Sequence, residues 1–142
     1  MNFINLKTVI LTVIGVVGSA MSALFGGFDA AFVTLLIFMA VDYITGLIVA
    51  GVFHKSSKSA SGALDSSAGW KGLCKKGVTL LVVLVSVRLV LMLNTHFIRD
   101  GVIIAYIANE GLSIIENAGL MGVPIPDAIT KAIEVLKKGE KK

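Results

Sequence analysis

Three ionisable residues interrupt otherwise apolar stretches of this chain: Asp42, Arg88 and Glu110. Asp42 precedes His54 by twelve residues and Arg88 follows Lys76 by twelve. As helices, both lie about 18 Å from a common boundary. Glu110 follows Asp100 by ten residues, about 15 Å from the opposite boundary. In a hydrocarbon core about 30 Å thick, all three fall near the midplane. An unpaired charge there costs about 2.5–3.5 kcal/mol on insertion scales. The spacing therefore predicts that Arg88 pairs with one or both acids. Two kinds of chemistry follow: a buried ion pair that orders a bundle, or a polar seam that becomes the lining of a pore.

Other chemistry finds little footing. Cys74 is the single cysteine, and His54 and His96 stand alone at the ends of apolar runs. No Cys/His cluster has metal-ligand spacing. Ser/His/Asp and Cys/His arrangements are missing outside the apolar runs, and Gly26-Gly27 and Gly62 lack the flanks of a phosphate-binding loop. Neither an enzyme nor a cofactor is expected. The formal net charge is +4, but the lysines flank apolar runs without the interleaved aromatics of a nucleic-acid surface, so no nucleic-acid partner is expected either.

The elements that must hold these charges are apolar helices. Of 142 residues, 56% are hydrophobic and 15% charged, whereas a soluble domain carries about 25% charged residues. Apolar runs cover Thr8 to Phe28, Ala30 to Phe53, Gly77 to Ile98, and Gly101 to about Gly122. A crossing needs about 20 residues. The expected fold is all-α, an integral membrane bundle of about four spans, near residues 8–28, 30–53, 77–98 and 101–121. The first run loosely fits a signal peptide, but its uncharged stretch is longer than a usual signal core, so it is read as a retained span. Residues 1–123 form the expected membrane domain and 124–142 a basic tail.

Charge sets the orientation. The connector 54–76 carries Lys55, Lys58, Lys71, Lys75 and Lys76, and the tail carries Lys131, Lys137, Lys138, Lys141 and Lys142. The turns near Gly26-Gly27 and Asn94 to Asp100 carry only Arg99. The positive-inside rule puts both termini and the long connector in the cytoplasm of a multi-pass inner-membrane protein. Six serines among glycines make that connector a flexible polar loop, with Trp70 as an interfacial anchor. After Pro124 and Pro126, residues Ile129, Ile133 and Leu136 share one face of a short amphipathic helix. It either lies on the inner leaflet or is a solvated tail.

The first run has a stripe of small residues. Gly15, Ser19, Ala23 and Gly27 recur every four residues, as do Gly18, Ser22 and Gly26. Such a face lets another backbone approach closely, either within one bundle or between copies.

The stretch from Tyr106 to Asn117, with Asn109, Glu110, Ser113, Glu116 and Asn117, followed by Gly122-Val123-Pro124-Ile125-Pro126, resembles the C-terminal signature of the toxin-secretion/phage-lysis holin family (bacteriophage holin family 4). Asp42-Tyr43-Ile44-Thr45-Gly46, and Lys71-Gly72-Leu73 with Lys75-Lys76, support it. The resemblance implies a phage-encoded protein that accumulates in the host inner membrane, oligomerises, and opens lesions for a peptidoglycan hydrolase (endolysin). Some relatives assist toxin release instead. Two departures touch the pore lining: Arg88 stands where the family usually has an acid, and the Ser-rich connector is long. Two other readings remain. One is a small four-helix, proton-coupled exporter using Asp42 or Glu110; the other is an antiholin that restrains a holin.

Overall fold

The computed structural model describes residues 2–139. Among them are five helices and no strand: α1 (Phe3–Phe25), α2 (Ala30–Gly51), α3 (Ser66–Leu93), α4 (Phe97–Leu120) and α5 (Asp127–Gly139). The tail lysines Lys141 and Lys142 lie outside the described residues.

Each boundary has a local cause. Gly26 ends α1 in a left-handed conformation at φ 76°, which glycine reaches at no steric cost. Asp29 caps α2 by accepting from the Phe32 amide at 2.9 Å, and Asp65 caps α3 by accepting from the Ser67 amide at 2.8 Å. At the end of α4, Gly122 takes φ 75°. The Val123 amide then reaches the Ala118 carbonyl and the Gly122 amide reaches that of Gly119, the pairing of a Schellman motif. Pro124 follows, and the Pro126 carbonyl accepts from the Ile129 amide as α5 begins. The Gly-Val-Pro-Ile-Pro run is thus a helix stop and a reversal.

α4 is the centre of the bundle, packed on α2, α3 and α5. It runs parallel to α2: Arg99 meets Asp29 at the start of α2, and Asn117 meets Asp42 and Thr45 further along it. The dry core is Phe25, Phe32, Leu35, Met39, Val83, Ile103 and Ile107, and it occupies the half of the bundle nearer Arg99. α5 folds back along α4, with buried Ile133 seated against Gly111. A Cβ on Gly111 would stand 2.8 Å from the end of that isoleucine, so glycine is what admits α5 there. Lys131, Glu134, Lys137 and Lys138 stay exposed on its other face.

Two expectations change. Three helices, α1, α2 and α3, are long and apolar enough to cross a membrane, not four. α4 falls short because it contains Arg99, Asp100, Glu110 and Glu116; of its polar residues Arg99, Glu110 and Asn117 are turned to its neighbours, and Asp100, Asn109 and Glu116 are exposed. The connector is also shorter than 54–76. α3 begins at Ser66, eleven residues before the apolar run, so Lys71, Lys75 and Lys76 are helical. The remaining residues, 52–65, fold on themselves: the Ser56 amide donates to Gly62 and the Ser59 hydroxyl to Ala63.

Candidate functional site

α2, α3 and α4 bring one charged group each to a common point. The Lys76 ammonium lies 2.7 Å from an Asp42 carboxylate oxygen and 2.6 Å from one of Glu110. The Asp42 and Glu110 side chains are 7% and 9% exposed, and that of Lys76 is 15%. The Ser113 hydroxyl and the Asn117 amide both donate to the other Asp42 oxygen. The Asn117 amide also donates to the Asp42 carbonyl at 3.2 Å and the Thr45 hydroxyl at 2.9 Å. Ser113 and Asn117 follow Glu110 at three and seven residues, so all three share one face of α4. Alongside, the Tyr43 hydroxyl donates to the Gly69 carbonyl at 3.3 Å, and Gly72 faces the same ring. Both glycines lie on the side of α3 that faces Tyr43 of α2.

Arg88 is not the cation of this cluster. It is exposed on α3, and no described acid pairs with it. Twelve residues are three and a third turns, so Lys76 and Arg88 point in directions about a third of a turn apart and cannot both face the acids. Arg88 is five residues from the end of α3 at Leu93, about 7.5 Å, within reach of that end by snorkelling. Lys76 is ten residues into α3, not at its boundary, and its long stem carries the ammonium to Asp42 and Glu110. One signal in the sequence pointed the right way: Lys75-Lys76 lies in a family-like stretch, as do Asp42 and Glu110.

The other motif residues divide. Glu116 is exposed, Asn109 is exposed beside the cluster, and Gly122, Pro124 and Pro126 build the reversal before α5. Of the small-residue stripe, Gly26 is the α1 cap, and its missing Cβ makes room for Arg99, whose Nε would lie 3.2 Å away. Gly15 and Gly18 have nothing within 4 Å. Ser19 and Ala23 are exposed and Ser22 is half-buried. From Phe3 to Ala20 every residue but Gly18 is exposed, so among the described residues the stripe is open at Gly15 and Gly18, whereas its later part, at Ser22 and Gly26, packs within the bundle.

Arg99 is a second charged site that composition did not single out. It is buried at the turn end of the bundle, where it donates to the Phe25 and Gly27 carbonyls and, through both terminal nitrogens, to Asp29. The fork ties the α1–α2 turn to α4. The Arg99 hydrogen bond holds the Asp29 carboxyl below the usual carboxylate range, helped by the Phe32 amide and against partial burial. A carboxyl lowered in the folded state stabilises above its unfolded value, and the contribution fades as pH falls through the folded one. Arg99→Leu is expected to cost about 1.5–3 kcal/mol, the worth of a hydrogen bond to a charged group. Thermal unfolding in detergent should show the loss, with incomplete recovery in Arg99→Lys, which lacks the two-pronged geometry.

Residues 19–138 match the family described as "Bacteriophage holin family". The chain is 40% identical over 121 residues to an uncharacterized 14.9 kDa protein in the nagH 3' region of Clostridium perfringens, covering 84% of this chain and 86% of that one. It is 36% identical to an uncharacterized protein of Listeria monocytogenes, over 87% of this chain and 84% of the relative. With YtkC of Bacillus subtilis it shares 33% identity over 84% of each chain. No solved structure matches.

Proposed function

The chain belongs to the bacteriophage holin family, and from that premise we propose that it gathers in a bacterial inner membrane, associates with further copies, and forms lesions through which a cytoplasmic peptidoglycan hydrolase reaches the wall. The observation that carries this reading is the convergence of the three family-like stretches on one buried ion cluster, Lys76 with Asp42 and Glu110. Such a cluster lets a mostly apolar protein accumulate with its charges paired and kept from lipid, and the same groups can line a through-path once helices separate. The open face of α1 at Gly15 and Gly18 suits contact between copies.

Orientation follows the lysines. Lys7, Lys55, Lys58 and Lys71 lie towards the end where α2 finishes and α3 begins, whereas the turn end holds Arg99 paired with acids. The lysine-rich end, with the N-terminus and the reversal that leads into α5, therefore faces the cytoplasm.

A hydrolase without an export signal supplies the test. Made alone in a bacterium it should leave the cells intact; made with this protein it should lyse them abruptly. A proton-coupled exporter would instead give saturable efflux of a hydrophobic cation, abolished by Glu110→Gln. An antiholin would lyse nothing alone and would delay lysis by a separate holin. Failure to release the hydrolase at any amount of inserted protein would reject the proposal.

A further inference from the structure

The bundle is divided across its length into a dry half and a hollow one. On the Arg99 side of the ion cluster, Leu35, Met39, Val83, Ile103 and Ile107 close the interior. On the other side, between α2, α3, α4 and the folded connector, is a cavity of about 620 Å³. Its deep end is formed by Asp42, Lys76 and Glu110, with Thr79 beside them; its mouth is formed by connector residues such as Lys58, Ser59 and Asp65. That volume has room for on the order of twenty waters at about 30 Å³ each. Apolar residues such as Leu47, Leu64 and Val78 share the walls, and hydroxyl, amide and charged groups at Lys58, Ser59, Asp65, Thr79 and Asn109 give water partners from the mouth to the deep end.

We propose that this cavity is an aqueous vestibule, open at the connector end and stopped at the Lys76 cluster by the apolar core, and that it admits water and small cations in preference to anions. The inference rests on α2 and α3 crossing the membrane; it does not depend on which face the connector occupies. Two arguments support it. First, three ionised groups at depth are tolerable where they border water, and costly where they border lipid. Second, the deep end holds two carboxyl groups against one ammonium, so with both acids ionised one negative charge is in excess. The groups nearer the mouth, Lys58, Lys75 and Asp65, add a cation, so selection is a property of the deep end. The apolar core is then the gate. Converting the vestibule into a through-path requires moving Met39, Val83 and Ile107, not creating a polar route from nothing.

Accessibility of single cysteines in the full-length, membrane-inserted protein tests this. In a Cys74→Ser background, Thr79→Cys places a thiol at the deep end, Val83→Cys places one in the core, and Ser57→Cys reports the face on which the connector lies. Each is treated in sealed right-side-out and inverted vesicles with a trimethylammonium methanethiosulfonate and with its sulfonate counterpart. Thr79→Cys should react from the same face as Ser57→Cys and from no other. There the cationic reagent should be about tenfold faster than the anionic one, on the scale of one uncompensated charge at short range in partly screened surroundings. Glu110→Gln should abolish that preference. Val83→Cys should react from neither face until the protein is dissolved in denaturing detergent. An unreactive Thr79→Cys beside a reactive Ser57→Cys, or reaction at Val83→Cys equal to that at Thr79→Cys, would overturn the vestibule. Equal rates for the two reagents would overturn its cation preference. The face that labels Ser57→Cys bears separately on the lysis proposal: labelling from outside would contradict the cytoplasmic connector and leave the vestibule standing.

Discussion

Lys76→Met is expected to collapse the amount of membrane-inserted protein, where Arg88→Leu leaves it near normal. The methionine keeps the stem but removes the ammonium that lies 2.7 Å from Asp42 and 2.6 Å from Glu110. Two buried carboxylates then face each other with no cation between them. Breaking a buried pair by removing one partner costs about 3–5 kcal/mol, a large share of the stability of a small protein. Replacing the whole group by neutral residues of similar shape is far gentler. Lys76→Met combined with Asp42→Asn and Glu110→Gln should therefore accumulate better than Lys76→Met alone. Ser113 and Asn117 still have an acceptor in the asparagine. The readouts are inserted protein at steady state and unfolding temperature in detergent. If Lys76→Met accumulates normally, or the triple change does no better, the three groups are not coupled as their geometry requires.

Much of this arrangement was visible in the order of residues, because apolar runs and helix punctuation are local properties. Asp29, Gly26 and Gly122 mark ends that the structure places within a few residues of the apolar boundaries. Asp42 and Glu110 stand out because a charge within an apolar run is costly wherever the chain folds. Their partner was less legible. Which cation reaches them depends on where α3 starts and on the rotation of its faces, and a hydropathy boundary at Gly77 hides both. Ser66 to Lys76 is polar enough to read as connector, yet Asp65 caps it and α3 runs through it. Arg88 looked equivalent by depth and differs by direction.

α4 taught the opposite lesson. Its length suits a crossing, but two of its charges, Arg99 and Glu110, belong to interior contacts with Asp29 and Lys76, which only the assembled bundle reveals. α5 was legible as an amphipathic helix, while its seat on Gly111 depends on the reversal at Gly122 to Pro126. The stripe on α1 was plain in the sequence, and the structure adds that nothing within one copy occupies it at Gly15 and Gly18.

The largest functional effect expected is a discontinuity. On the proposed function, the face of α1 left open at Gly15 and Gly18 and the ion cluster held within each copy make the protein harmless when dilute and disruptive when assembled. Association of many copies depends steeply on their concentration, so membrane damage should begin at a threshold instead of rising with amount. The most direct measurement is membrane potential in single cells, followed with a potential-sensitive dye while a tagged form of the protein is quantified, in a bacterium that makes no wall hydrolase. The account predicts normal potential through a period of accumulation, then complete collapse within each cell at a similar protein level. A loss of potential that is graded, and proportional to the amount of protein from the start, would contradict it.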